Sequence, residues 1–208
     1  MNGFALLFVD DSLLVVNKPA GMLSVPGRSA DLQDCMAARV QAEVPDALVV
    51  HRLDMATSGL LVFARGKAAQ RRLSHAFAQR EVEKRYVAVV AGRVLADAGE
   101  IDLPLITDWP NRPRQKVDLS VGKPSVTRYR VIRRADGDTR LELEPVTGRS
   151  HQLRVHLLAL GHPILGDALY APADVVASAD RLMLHARSLA FAHPVHGEML
   201  SFDSEVPF

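Results

Sequence analysis

Chemistry in this sequence starts from one carboxylate in a basic loop, His51-Arg52-Leu53-Asp54-Met55-Ala56-Thr57-Ser58-Gly59. The run GLLVFA that follows (59–64) is short and continuously apolar, which predicts a buried strand. Asp54 would then stand at a sheet edge with a rigid element behind it. A carboxylate so placed can be a nucleophile, a general base or a helix cap, and spacing alone does not choose. A second stretch is Thr147-Gly148-Arg149-Ser150-His151-Gln152-Leu153-Arg154-Val155-His156. A helix starting near Ser150 would offer free N–H groups to an anion beside Arg149. Arg154 follows apolar Leu153 and lies at the border of the buried face, where an arginine wants a carboxylate. On its own, such an arginine is more often part of a structural ion pair than of a catalytic one. His151 and His156 are five apart, so they do not face one metal as an i, i+4 pair would.

Two aromatic segments complete the set. Tyr86, in Glu83-Lys84-Arg85-Tyr86-Val87-Ala88, is one of three tyrosines and follows two cations. It could stack on a nucleobase or sit at a core edge with its hydroxyl in water. Asp108-Trp109-Pro110-Asn111-Arg112-Pro113-Arg114-Gln115-Lys116 holds the only tryptophan, two prolines and three cations. Prolines stiffen a loop that presents Arg112 and Arg114, which suits RNA or a protein interface. No phosphate-loop or dinucleotide-binding glycine pattern is present, so no nucleotide cofactor is expected.

The elements that must position these residues follow from periodicity. Strands are predicted over 4–9, 13–17, 59–64, 86–90 and 182–191. The clearest hairpin joins 126–133 to 139–144 through Ala-Asp-Gly-Asp. Helices are predicted over 31–44, 67–79 and 151–160, the last closed by Gly161. Many strands with few helices between them imply α+β with a mixed, largely antiparallel central sheet flanked by helices.

The chain has 208 residues, 48% hydrophobic and 24% charged. That fits one globular domain over 1–208 and argues against disorder or a coiled coil. The lone Cys35 excludes an internal disulfide and fits a reducing compartment. The opening lacks a basic leader region, and no apolar run approaches ~18 residues. A cytoplasmic protein without membrane contact is expected. Net charge is +1 but uneven. Residues 51–90 carry eight basic against three acidic side chains, 108–134 eight against two, and 161–208 two against six. Such polarity suggests a basic working face for nucleic acid, or simply solvated helix and strand edges. Nothing reads as an obligate interface, so a monomer without a protein partner is expected.

These stretches occur together in an order that resembles the RluA family of pseudouridine synthases. The matching segments are VVNKPAGMLSVPG (15–27), HRLDMATSGLLVFA (51–64), EKRYVAVVAG (83–92), GRSHQLRVHLLALGHPILGD (148–167) and LMLHARSLAF (182–191). The resemblance implies the pseudouridine synthase fold and isomerisation of a flipped-out uridine in a hairpin loop of tRNA or 23S rRNA. Many members carry an N-terminal S4 domain. Here the pattern begins within the first twenty residues, so none is expected, as in the short branch of the family.

The resemblance also assigns roles. Asp54 would be the nucleophile at C1′ or C6, or would deprotonate the ribose in a glycal route. Arg154 would hold Asp54 ionised. Tyr86 would pack on the uracil and take the C5 proton, and Arg52 would fill the gap left by the flipped base. His51, Arg112, Arg114 and Arg149 complete the expected RNA-contacting set. No metal or cofactor is implied. Two other readings stand beside this one. The first is a catalytically idle RNA-binding or RNA-folding module on the same scaffold. The second is a hydrolase using His151, His156 or His185 with a metal.

Overall fold

The computed structural model describes residues 4–208. The first three residues, which open the stretch read as lacking a basic leader, lie outside them. In chain order the first elements are β1 (Ala5–Val9), β2 (Leu13–Lys18), α1 (Met36–Glu43), β3 (Ala47–Val49), β4 (Ser58–Arg65) and α2 (Gly66–Gln79). Next come β5 (Glu83–Ala91), β6 (Ala98–Asp102), β7 (Leu105–Thr107), β8 (Gln115–Val117), β9 (Val126–Arg134) and β10 (Asp138–Pro145). The last are α3 (Gln152–Ala159), α4 (Ala173–Ala177), β11 (Leu184–Ala192) and β12 (Met199–Asp203). The fold is α+β with mostly antiparallel strands and few helices, as expected. It divides into two compact units, Met1–Lys84 with Ala186–Pro207, and Arg85–His185 with Phe208.

In the first unit β2 pairs antiparallel with β1 and β4, and β3 pairs with β4. β4 is buried along nearly its whole length, which is why its sequence is apolar without alternation. Gly59 opens it at φ +116°, and a Cβ there would lie 2.3 Å from the Ala186 carbonyl oxygen on β11. Only glycine fits that approach. Helix α2 lays Ala69 and Leu73 onto β4, in a core with Leu13, Val15, Leu60, Val62, Leu189 and Phe191. Leu73 is buried, so its truncation to alanine would cost about 2–5 kcal/mol.

In the second unit β10 lies between β5 and β9, and β9 also pairs with β6. Thr139, Leu141, Leu143 and Pro145 of β10 point inward in strict alternation. The hairpin turns at Gly137, whose φ is +85°. β7 and β8 form a separate two-stranded arm that carries the Trp109 loop. Helix α3 ends in a Schellman motif. Gly161 (φ +87°) donates its N–H to the Leu158 carbonyl, and His162 donates to that of Leu157.

Three expectations need correction. The helix predicted over 31–44 begins only at Met36. Residues 27–33 make their own turn, with Gly27 N–H donating to Leu32 O and the Gln33 amide donating to Gly27 O and Ser29 O. Cys35 is extended (φ −153°), and its Sγ caps the helix by accepting from Ala38 N–H at 3.4 Å. The helix predicted over 151–160 starts at Gln152, because His151 is left-handed (φ 53°). The strand predicted over 182–191 runs Leu184–Ala192 and is followed by the unforeseen β12.

Candidate active site

In the first unit Asp54 stands, half-buried, in the connection between β3 and β4. The backbone on both sides of it is pinned. The Ser24 hydroxyl donates to Leu53 O (2.7 Å) and accepts from Leu53 N–H (3.0 Å). Thr57 N–H donates to Asp54 O (3.1 Å), and Gly21 N–H donates to Met55 O (2.9 Å). Lys18 supplies the firmest anchor. It ends β2 fully buried, and its Nζ donates to Pro19 O (2.8 Å), Met22 O (2.7 Å) and Met55 O (3.1 Å). A buried ammonium needs such acceptors, and here they tie the NKPAGM turn to the residue after Asp54.

His51 and Arg52 differ sharply. Arg52 is exposed and makes no ion pair among the described residues. The His51 ring stacks on Phe77 at 4.3 Å, and its Nε2 accepts from Val62 N–H at 3.0 Å. Burial, with the Lys84 charge as a lesser cause, lowers its pKa to about 3. Its ring is therefore neutral near pH 7 and brings no charge to a phosphate. It braces the base of the Asp54 loop.

In the second unit Tyr86 lies half-buried on β5, opposite Leu143. Arg154 is buried on α3, where Nε donates to Asp167 Oδ2 (2.8 Å) and Nη2 donates to Asp167 Oδ1 (2.6 Å). Removing one member of a buried pair of this kind costs about 3–5 kcal/mol. The Tyr170 ring lies beneath the guanidinium at 5.0 Å. The Tyr170 hydroxyl meets His151 Nδ1 at 2.6 Å and accepts from Gln115 N–H at 2.8 Å.

The turn that leads into α3 is held by the Gln152 side chain. The Gln152 amide oxygen accepts from the Thr147 hydroxyl (2.7 Å) and from Arg149 N–H (3.0 Å). Its nitrogen donates to Val126 O (2.9 Å) and Thr127 Oγ1 (3.0 Å). All four bonds of the amide are filled, so the N–H of Arg149 is taken rather than offered to an anion. The Arg149 side chain is exposed, with Nε near Pro124 O at 3.4 Å. His156 has both nitrogens occupied. Nε2 donates to Leu103 O and Nδ1 accepts from Thr127 Oγ1, each at 2.9 Å. Burial lowers its pKa. His185 is buried on β11.

The arm carries Arg112 and Arg114. Asp108 N–H donates to Arg114 O (2.9 Å), and Asn111 Nδ2 donates to Asp108 Oδ2 (2.9 Å), so the loop is braced from within. The Arg112 guanidinium lies 4.6 Å above the exposed Trp109 ring. Neither arginine makes an ion pair among the described residues.

Lys18, Gln152, Asp167 and Tyr170 were not singled out from sequence. A lysine closing the apolar run LLVVN was the one local signal for Lys18. Asp167 is thirteen residues from Arg154, too far for any periodic rule to pair them.

The family described as RNA pseudouridylate synthase matches residues 12–159. The dual-specificity RNA pseudouridine synthase RluA of Yersinia pestis is 54% identical over 98% of this chain and 99% of its own. Its Escherichia coli K12 counterpart is 52% identical over 98% and 93%. Human RNA pseudouridylate synthase domain containing 1 superposes with a TM-score of 0.83 at 30% identity, covering 100% of this chain and 85% of its own. With match, identity and fold in agreement, the chain belongs to the RNA pseudouridylate synthase family and is an RNA pseudouridine synthase.

Proposed function

We propose that the protein isomerises a flipped-out uridine in a hairpin loop of tRNA, 23S rRNA or both, with Asp54 as the nucleophile. The curated relatives at 52–54% identity are named dual-specificity enzymes, which supports both substrate classes. The reaction breaks N1–C1′, turns the uracil and joins C5 to C1′. The C5 proton leaves and N1 gains one, so no redox partner is consumed. In this reading the Asp54 carboxylate attacks C1′ or C6, or takes a ribose proton in a glycal route. Tyr86 packs on the uracil and receives the C5 proton. Arg154, oriented by Asp167, supplies the positive charge that keeps the catalytic carboxylate ionised. Arg52 occupies the space left by the flipped base, where a guanidinium can stack and bind phosphate. Arg112, Arg114 and Arg149 contact the RNA, and His51 serves through its loop. Residues 1–208 act as one catalytic domain, as a monomer in the cytoplasm. No helix is long and apolar enough to cross a membrane among the described residues.

The observation that carries this reading is the anchoring of Leu53, Met55 and Thr57 around Asp54. A nucleophile must be held within a few tenths of an ångström of its target. The test is pseudouridine mapping on unmodified tRNA and 23S rRNA transcripts, by carbodiimide blocking and reverse-transcription stops. Wild type is expected to create new stops. Asp54→Asn should create none, its rate falling by about 10³-fold or more, while RNA affinity stays near normal. Retained turnover in Asp54→Asn would remove the nucleophile assignment.

A further inference from the structure

We propose that Tyr170 is a positioning residue, its hydroxyl being the joint through which helix α3 sets the placement of the β7–β8 arm. This rests on the reading of that arm as an RNA contact. The arm is paired at Leu105↔Val117, Ile106↔Lys116 and Thr107↔Gln115. Gln115 is therefore the last paired position before the loop of Trp109, Arg112 and Arg114. Its backbone N–H points out of the arm and donates to the Tyr170 hydroxyl at 2.8 Å. The Thr107 hydroxyl donates to Gln115 Oε1 (3.1 Å), so the grip at Gln115 extends to the opposite strand. Tyr170 thus holds the neck of the loop.

The other side of the joint is fixed. The hydroxyl that accepts from Gln115 also meets His151 Nδ1 at 2.6 Å, so it is held from both sides. His151 is left-handed, a backbone state costly for a residue with a side chain and sustained only by its surroundings. The ring of Tyr170 is covered by Arg154, itself locked to Asp167. The Tyr170 N–H donates to Asp167 O at 3.2 Å, and Leu169 N–H donates to Asp167 Oδ1 at 3.1 Å. One phenol therefore touches three things that RNA modification needs in register: the arm, the turn that begins α3, and Arg154. The mechanism gives Tyr170 no contact with the reacting atoms, so its role is to position.

Tyr170→Phe in the full chain keeps the ring under Arg154 and removes the joint. Gln115→Pro removes the donor and leaves Tyr170 intact, so either variant can decide if the other fails to fold. Three readouts separate positioning from general loosening. Amide exchange at Gln115 should quicken by about tenfold or more in Tyr170→Phe, because its acceptor is lost. Trp109 is the only tryptophan, so its fluorescence reports the arm directly. Its anisotropy should fall and its quenching by acrylamide should rise in both variants. Affinity for an unmodified tRNA transcript should weaken about fivefold, the size expected of one hydrogen bond. In an Arg112→Ala, Arg114→Ala background the same substitution should weaken it less than about twofold, since the arm no longer contributes. Unchanged exchange and unchanged Trp109 signals would overturn the proposal. So would an equal loss of affinity in both backgrounds. If the Arg112→Ala, Arg114→Ala protein binds RNA as wild type does, the RNA reading of the arm fails instead, and the Gln115 and Trp109 signals still decide the joint.

Discussion

The imidazole of His51 stacks on Phe77 and accepts a hydrogen bond from Val62 N–H, and accepting it requires the neutral ring. Protonation would turn the accepting nitrogen into a donor facing another donor, in a site already near the charge of Lys84. Burial therefore holds the folded pKa at about 3, against ~6.5 in the unfolded chain. A histidine with a depressed pKa binds fewer protons folded than unfolded, so stability rises with pH across that interval. The contribution is full above ~6.5 and is lost as pH falls from there toward 3. At its steepest the slope approaches one proton, about 1.4 kcal/mol per pH unit. His51→Gln keeps an acceptor for Val62 and cannot titrate. Its denaturant midpoint should therefore fall less than that of wild type between pH 7 and 5. Parallel midpoint curves for the two proteins would show that His51 is not charged at this cost. His156, also lowered by burial, contributes in the same direction to both proteins.

Among the elements, helix α2 ends in a Schellman motif built on the wrong residue. Arg80 N–H donates to Phe77 O and Glu81 N–H to Ala76 O, which requires the left-handed state at Arg80 (φ 64°). A side chain there strains the backbone by about 1 kcal/mol, and glycine would not. Arg80→Gly should raise the melting temperature by a few degrees, as ~1 kcal/mol does in a chain of this length. It would also remove a cation near Lys84, which adds to the same effect. A lower melting temperature would mean that the Arg80 side chain matters more than its backbone. The strong periods of this fold are legible in the sequence: β4 as an unbroken apolar run, α2 with Leu73 and Phe77 four apart, and the β9–β10 hairpin around Gly137. The strands β3, β6, β7, β8 and β12 are not, being three to five residues long and without a period of their own. Nor is the start of α1, where an extended Cys35 and the side chain of Gln33 overrule helical spacing. The stretch around Asp54 stands out in the sequence because its neighbours form a dense local pattern. Lys18, Asp167 and Tyr170 do not, because their partners are far along the chain and meet only in the fold.

For the molecule as a whole, counting charges along the sequence overstates the basic face. Of the eight cations between 108 and 134, three are answered by acids from outside that window. Arg128 pairs with Glu100 (2.9 Å) and Glu144 (3.7 Å), Arg130 with Glu142 (3.0 Å), and Arg134 with Asp97 (2.7 Å). Outside the same stretch, Arg85 also pairs with Glu144. These cross-strand pairs on β6, β9, β10 and β5 leave that sheet surface close to neutral. Arg112, Arg114 and Lys116 on the arm make no ion pair among the described residues. RNA held through its phosphates should therefore read the arm and not the sheet. Removing one arginine–phosphate pairing lowers the dependence of log Kd on log salt by roughly 0.7–0.9. Arg112→Gln with Arg114→Gln should flatten the salt slope by about 1.5 and weaken binding most at low salt. Arg128→Gln with Arg130→Gln removes the same formal charge but frees Glu100 and Glu142 and leaves Glu144 to Arg85, so affinity should fall while the slope changes by less than about 0.5. Titrating one unmodified hairpin transcript at several salt concentrations separates the two pairs. Equal slope changes would place the RNA on the sheet as much as on the arm, and the positive charge of the chain would then act as a field rather than through particular arginines.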